Sequence, residues 1–298
     1  MKTISRFFSL LRFRYIVAAI ILLGLISVFA EDRRGKIAVL NIEGIVLSSG
    51  GYTEAVREIE RNGSFKALVV RIDSPGGSVA ASQEIYSLVK RLSEKMPVVA
   101  SMGNVAASGG YYIACGAQTI FANPGTLTGS IGVIATFANY KELLSWAKVD
   151  FEVIKTGDLK DTGTPLRALT GSEREYLQKV MDDALGQFQE AVSQSRKIDP
   201  DTLKNISDGR LLLGLQAKES GLVDETGTLL NAIEAAAQMA EIPANSPVVT
   251  FPERKFSLTE FLLSGRAGGL IDRHFPSSVL RGSGIYYLSE KFGGGKIF

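Results

Sequence analysis

The chain has 298 residues, of which 45% are hydrophobic and 21% are charged, and its formal net charge at pH 7 is +2. This is the composition of a globular protein, and the near-neutral charge gives no reason to expect nucleic acid as a partner. The single cysteine, Cys115, excludes an intrachain disulfide, and the single histidine, His274, excludes a metal site with several histidine ligands. We expect no metal and no other cofactor.

A basic segment followed by an apolar segment begins the chain. Residues 1–14 carry basic side chains and no acidic one, and residues 15–30 carry no charge. The apolar stretch is slightly shorter than a comfortable membrane span. We predict that residues 1–30 form a single-pass signal anchor, with the basic end in the cytoplasm and the rest of the chain on the outer side of the cytoplasmic membrane. A cleavable signal peptide ending at Ala30 is the alternative.

Apolar runs that alternate with amphipathic segments predict an α/β domain over residues 31–250 with a mostly parallel sheet. The predicted strands cover residues 36–46, 67–72, 98–102, 119–122, 128–134 and 151–155. The predicted helices cover residues 52–62, 78–95, 109–115, 140–148, 170–197, 217–225 and 231–240. Thr170 and Glu173 have the spacing of a capping box. The pattern fades after Pro252, so residues 251–298 are interpreted as a tail that is flexible or packs on a neighbouring subunit.

A serine in a turn of small residues follows the third predicted strand. Ser108 precedes Gly109 and Gly110 at the start of a short helix, whose first amides have no partner within the helix. A hydroxyl beside free amides can act as a nucleophile, with the amides as donors to the oxyanion of acyl transfer. Taken alone, such a turn more often holds a serine with no chemical role.

Two other segments end at the same predicted edge of the sheet. Gly77 begins a helix there, and its amide can meet the amide of Gly109 to form an oxyanion hole with two donors. Ser130 also lies near this edge. Ser74-Pro75-Gly76-Gly77 read alone is typical of any tight turn, so this juxtaposition is a hypothesis.

We do not expect histidine to be the base that activates Ser108, because the single histidine, His274, lies in the predicted tail. Lys155 and Lys160 follow a predicted strand and are the alternatives. A free lysine has a pKa of about 10.4, so a lysine base needs surroundings that lower this value. The carboxylates of Asp158 and Asp161 would act in the opposite direction.

Five motifs in this order resemble the single-domain bacterial form of the signal peptide peptidase A family, which are Ser-Lys peptidases of the Clp/crotonase superfamily. The motifs are Asp73-Ser74-Pro75-Gly76-Gly77, residues 106–112, residues 128–133, Lys160-Asp161 and Asp208-Gly209-Arg210. The resemblance covers most of residues 36–240. It implies a Clp/crotonase-like fold of repeated ββα units with a mostly parallel sheet, an N-terminal transmembrane helix and a C-terminal helical region.

The resemblance also implies roles for individual residues. Ser108 would be the nucleophile and Lys160 its general base. Gly77 and Gly109 would supply the oxyanion amides, and Ser130 would position the lysine amine. The implied protein is a membrane-anchored serine endopeptidase that degrades remnant signal peptides and other apolar peptide segments. Its dyad would be shared between neighbouring subunits of a homo-oligomeric ring.

Two other functions remain open at this point. An acyl-CoA hydratase-like enzyme would use the same sheet and oxyanion hole without a serine nucleophile, although acyl-CoA is cytoplasmic and the predicted anchor argues against it. A membrane-anchored ring that only binds peptides would need neither Ser108 nor Lys160 for its role.

Overall fold

The structure, a computed structural model, describes residues 35–252 and the backbone of residues 286–288. The predicted anchor over residues 1–30, His274 and most of the predicted tail lie outside the described residues. Within the described part of the chain, no helix combines the length and apolar character needed to cross a membrane.

Strands and helices alternate along the first half of the domain, and helices dominate the second half. The strands are β1 (Lys36–Glu43), β2 (Phe65–Ser74), β3 (Gly76–Ser78), β4 (Val98–Ala107), β5 (Thr119–Ala122), β6 (Leu127–Gly129), β7 (Leu211–Leu213), β8 (Glu225–Thr226), β9 (Val248–Phe251) and β10 (Tyr286–Leu288). The helices are α1 (Gly50–Arg61), α2 (Val79–Ser93), α3 (Gly109–Ala114), α4 (Lys141–Trp146), α5 (Gly171–Arg196), α6 (Pro200–Ile206), α7 (Gly214–Glu219) and α8 (Leu229–Met239).

The main sheet has the strand order β7-β6-β4-β2-β1-β9, with β5 paired to β4 and β8 paired to β5. Each described pair in this sheet is parallel except β6 with β7. The prediction of a mostly parallel sheet is therefore confirmed. The long strand β4 pairs with β5 through residues 99–101 and with β6 through residues 105–107. β4 therefore changes neighbours along its length, and its last residues lie beside the end of β6 and not beside β5.

Both faces of the sheet are covered, as the continuous apolar runs of β1 and β2 require. Alternate residues of β1, such as Leu40 and Ile42, face the larger hydrophobic cluster together with α1, α2, α3 and α5. Ile37 and Val39, which lie on the opposite face of β1, pack against the alanines of α8. Cys115 belongs to the larger cluster, and burial raises the pKa of its thiol to about 12.

Several predicted elements differ from the structure. The strand predicted over residues 128–134 ends at Gly129. Residues 151–155 do not form a strand, and all of them are exposed. A strand needs a hydrogen-bonding neighbour, and the described part of the chain offers none to this segment. The helix predicted over residues 217–225 ends at Glu219, and Glu225 belongs to β8 instead. Ser78 lies at the predicted N-cap of α2, but its side chain makes no capping hydrogen bond.

The capping box at the start of α5 is confirmed. The amide of Glu173 donates to Thr170 Oγ1 at 3.2 Å, and the amide of Thr170 donates to Glu173 Oε2 at 2.8 Å. The helix that follows packs on the core through Phe188, which is fully buried. This cap therefore fixes where the chain joins the helical half of the domain.

Replacement of Thr170 by alanine removes the side-chain oxygen that accepts the Glu173 amide. We expect Thr170→Ala to lower the free energy of unfolding by about 1 kcal/mol, measured by urea denaturation of the full chain. The matched control is Thr170→Ser, which keeps the oxygen and should remain near the wild type. Equal midpoints for the alanine and serine variants would show that the cap does not stabilise the domain.

Candidate active site

Ser108 lies in the turn between β4 and α3 with φ 53° and ψ −118°. This positive φ is strained for a residue that has a side chain, and such strain is concentrated at functional sites. The turn is held at both ends, because the Ser108 amide donates to Gly129 O and the Tyr112 amide donates to Ser108 O, each at 2.8 Å. The Ser108 hydroxyl is fully buried and has no hydrogen-bond partner. The fold therefore presents a strained and unpaired hydroxyl.

Asp73, at the end of β2, shapes the part of β4 that leads to Ser108. Its Oδ1 accepts from the Val105 amide at 3.1 Å, and its Oδ2 accepts from Asn104 Nδ2 at 2.9 Å. These bonds lie where the register between β2 and β4 shifts, so the carboxylate replaces bonds that the strand ladder would otherwise make. In the sequence, Asp73 stands out only as part of a motif. Its position, an acidic residue between a buried strand and a Pro-Gly turn, is the sequence signal that could have indicated this role.

The next residue fixes the turn that contains Gly77. Ser74 is fully buried, its Oγ donates to Gly44 O at 2.6 Å, and the same oxygen accepts from the Gly76 amide at 3.1 Å. The backbone of β3 is held from its other side by Val46, whose carbonyl accepts from the Ser78 amide at 2.8 Å. The position of β3 is thus determined by polar contacts with the segment that follows β1.

The structure brings Gly77 and Gly109 together. A Cβ atom added at Gly109 would lie 3.2 Å from Gly77 N and 2.4 Å from Ser82 Oγ. A Cβ atom added at Gly77 would lie 2.0 Å from Val46 O. Neither position has room for a side chain, so two backbones approach each other directly beside Ser108. Close approach of the two backbones is one condition for an oxyanion hole built from their amides.

Ser130 lies beside Ser108 because Ala107 pairs with Gly129 in the β4–β6 ladder. The Ser130 backbone also has a positive φ of 51°, and its amide donates to Arg210 O at 2.8 Å. Arg210 is paired with Asp208, and the pKa of that carboxyl is lowered to about 2, chiefly by hydrogen bonds from the Arg210 side chain. The fifth sequence motif therefore supports the turn that presents Ser130.

Lys160 does not contact Ser108 within the chain. It is exposed, and it lies on a turn in which its own amide donates to Gly157 O at 3.3 Å. The alternative candidate, Lys155, has its amine engaged, since Nζ donates to Asp158 O at 2.7 Å and also pairs with the Asp161 carboxylate. Of the two lysines, Lys160 is the one whose amine is not committed to a carboxylate among the described contacts.

A strand from the end of the chain lies at the same site. β10 pairs with β3 in antiparallel orientation, with Tyr287 opposite Gly77 and Leu288 opposite Gly76. It also lies close to α2 and α3. The edge of β3 next to Ser108 therefore accepts an extended peptide backbone. The described residues contain no cluster of acidic, cysteine or histidine side chains that could hold a metal ion.

Two protein families match parts of this chain. Residues 90–243 match peptidase family S49, a range that includes Ser108, Ser130 and Lys160, and residues 52–126 match the Clp protease family. The α/β fold with its mostly parallel sheet is therefore of the Clp protease type.

Several relatives carry the names of proteases. A Synechocystis protein named as the protease slr0021 is 45% identical over 214 residues, which cover 71% of this chain and 77% of the relative. The chloroplast serine protease SPPA of Arabidopsis thaliana is 36% identical over 210 residues, covering 70% of this chain and 31% of the relative. An Enterococcus faecium protein that bears the name signal peptide peptidase SppA is 32% identical over 214 residues, covering 67% of this chain and 62% of the relative.

The strained and buried serine, the adjacent glycine backbones and the extent of these matches lead to the same conclusion. The chain belongs to peptidase family S49 and is a serine peptidase.

Proposed function

We propose that this peptidase is anchored in the cytoplasmic membrane and degrades remnant signal peptides and other apolar peptide segments on the extracytoplasmic side. Ser108 is the nucleophile, and Lys160 of a neighbouring subunit in a homo-oligomeric ring is the general base. The observation that carries the proposal is the unpaired Ser108 hydroxyl beside Gly109, whose backbone lies too close to Gly77 to leave room for a side chain.

The chemistry follows from this arrangement. Lys160 Nζ, in its neutral form, takes the hydroxyl proton while Ser108 Oγ attacks the scissile carbonyl carbon. The oxyanion of the tetrahedral intermediate accepts hydrogen bonds from the amides of Gly77 and Gly109. The C–N bond then breaks, and the lysine ammonium gives its proton to the leaving amine. Water, deprotonated by the same lysine, then attacks the acyl carbon. The bond to Ser108 Oγ breaks, the lysine returns the proton to Oγ, and the acyl group leaves as a carboxylic acid. The Ser130 hydroxyl orients the amine throughout.

Exposed apolar side chains support a dyad shared between subunits. The segment that carries Lys160 leaves Trp146 82% exposed and Ile154 92% exposed, and Phe151 and Val153 are also exposed. Several exposed apolar side chains in one segment are typical of a protein–protein interface. A second subunit that covers this surface would bury these side chains and give residues 151–155 a neighbouring strand. It would also carry Lys160 toward a serine outside its own chain.

The pairing of β10 with β3 supports extended peptides as substrates. A peptide that adds to β3 as an antiparallel strand would gain backbone hydrogen bonds and lie along Gly76 and Gly77. Remnant signal peptides are short, apolar and unprotected by a folded domain, so they can adopt this conformation. The name of the Enterococcus relative and the apolar segment over residues 15–30 favour this substrate and a membrane location.

Mixed oligomers test the sharing of the dyad. We would co-express the full chain as Ser108→Ala and Lys160→Ala with different affinity tags, purify complexes that hold both, and follow hydrolysis of a fluorogenic apolar peptide. Each variant alone should lose at least about 10³-fold in kcat. The mixed complex should recover about one quarter of wild-type activity, because about one quarter of the interfaces then combine an intact serine with an intact lysine.

The control for the mixing experiment is Lys179→Ala, which removes an exposed lysine on α5 and should leave the rate unchanged. An inactive mixed complex would place the lysine and the serine in one subunit. Activity in Ser108→Ala alone would contradict the mechanism and favour a ring that only binds peptides.

Substrate preference tests the biological function. We expect the full chain to hydrolyse a synthetic signal peptide at least about tenfold more efficiently, in kcat/KM, than a polar peptide of equal length, because each buried leucine contributes about 1.5–3 kcal/mol. Equal rates for the two peptides would remove the preference for apolar segments. Turnover of acyl-CoA thioesters without peptide hydrolysis would support the hydratase-like alternative.

Gly109→Ala tests the oxyanion amides. The new methyl group would press on Ser82 Oγ and on the Gly77 backbone and move the amides apart, so kcat should fall by about 10²-fold or more. Gly186→Ala is the matched control, since a Cβ atom at Gly186 meets nothing within 4 Å. Both variants should be compared by circular dichroism. A folded Gly109→Ala protein with full activity would exclude this glycine from the site.

A further inference from the structure

A chain of ion pairs holds the segment that carries Lys160. Arg167 Nη2 lies 2.8 Å from Asp161 Oδ2, and the same guanidinium contacts both carboxylate oxygens of Glu173, at 2.6 and 2.8 Å. Lys155 pairs with the other oxygen of Asp161. We call Lys155, Asp161, Arg167 and Glu173 the Arg167 cluster. The sequence indicated Lys155 as an alternative base, Asp161 as part of a motif and Glu173 as a capping residue, but it gave Arg167 no role.

The Arg167 cluster connects the lysine segment to the core. No residue between Trp146 and Gly171 belongs to a helix or strand, so backbone hydrogen bonding of that kind does not fix Lys160. Glu173 is almost completely buried and is held by the Thr170 amide at the capped start of α5. The bidentate ion pair of Arg167 with Glu173 therefore connects the lysine segment to α5, which packs on the core.

The cluster also determines the charge next to the proposed base. Asp161 directly follows Lys160, and a free carboxylate at this distance would stabilise the charged amine. Hydrogen bonds from Lys155 and from Arg167 lower the pKa of Asp161, so its carboxylate is ionised and is shared between two cations. The pKa of Glu173 is lowered to about 2, chiefly by Arg167. The negative charge of Asp161, which would stabilise the charged form of the Lys160 amine, is thus compensated by Lys155 and Arg167.

We propose that Arg167 is a positioning residue for the general base: it holds the turn of Lys160 against α5 and neutralises Asp161, so that the Lys160 amine can release its proton. This inference rests on the role of Lys160 in the proposed function. Other charged groups face the same cluster and are unchanged in the comparison below. They are Asp158 on the same turn, Lys141 on α4 and Asp150 after it.

The test is the pH dependence of kcat/KM for peptide hydrolysis by the full chain. The rate should rise with pH because the Lys160 amine must be neutral to act as the base. In Arg167→Gln, Asp161 loses one of its two cations, so the midpoint of this rise should shift upward by about half a pH unit to one unit. In Asp161→Asn, the nearby negative charge is removed and the midpoint should shift downward. The double variant should return close to the wild-type midpoint, because both members of one pair are then absent.

Two further variants separate positioning from charge. Arg167→Lys keeps the charge but cannot make the two-bond contact with Glu173, so the midpoint should stay and kcat should fall severalfold. Arg174→Gln removes a neighbouring exposed arginine of α5 and should change neither quantity. If Arg167→Gln does not fold, the downward shift in Asp161→Asn and the behaviour of Arg167→Lys still decide the matter.

A purely structural role has a different signature. If Arg167→Gln lowers the melting temperature while the midpoint stays at the wild-type pH, the inference is overturned. Lys160→Ala distinguishes this result from failure of the proposed function. When Lys160→Ala is inactive and the Arg167→Gln midpoint is unmoved, the inference alone fails. When Lys160→Ala retains wild-type activity, the general base itself is wrongly assigned.

Discussion

The site depends on the close approach of two backbones that have no side chains at the point of contact. Gly77 and Gly109 come from different parts of the chain, and neither can carry a Cβ atom without meeting Val46, Ser82 or the opposite glycine backbone. Everything around them serves this approach. Ser74 and Val46 hold β3 in place, and Asp73 binds the Val105 amide in β4, the strand that leads to Ser108. The sheet supplies the rigidity that the contact needs.

The arrangement explains why the strained serine is tolerated. An unpaired buried hydroxyl and a positive φ both cost free energy, and a turn without support would relax. Here the Ser108 amide is bound to β6, and its carbonyl begins α3, so the residue cannot rotate without breaking a ladder bond and a helix bond. Ser130 adopts a similar φ beside it, at the end of the paired strand. The neighbouring turns thus stabilise each other through the sheet.

Local patterns in the sequence predicted most of the fold and the proximity of Gly77 to Gly109. The Ser108 turn, the capping box of α5 and the parallel strands are each specified by residues near one another in the chain, and the edge rule for parallel sheets placed Gly77 near Gly109. Three features were not predictable in this way. Residues 151–155 have β-type alternation, but a strand also needs a neighbour. The role of Asp73 depends on a register shift, and that of Arg167 depends on which acidic residues folding brings within its reach. These are long-range outcomes that spacing alone does not encode.

The separation of Lys160 from Ser108 within one chain has a consequence for when the enzyme becomes active. If the dyad forms only between subunits, a single folded chain contains the nucleophile but is inactive until it assembles. Assembly would then activate the enzyme, as cleavage activates a zymogen. Activity would then depend on subunit concentration, because dilution would dissociate the subunits and separate Ser108 from Lys160 while each domain stays folded. Confinement of subunits to a surface would favour the assembled state. Burial of the exposed side chains of Trp146 and Ile154 would accompany assembly, so the same contact that buries them would complete the catalytic site.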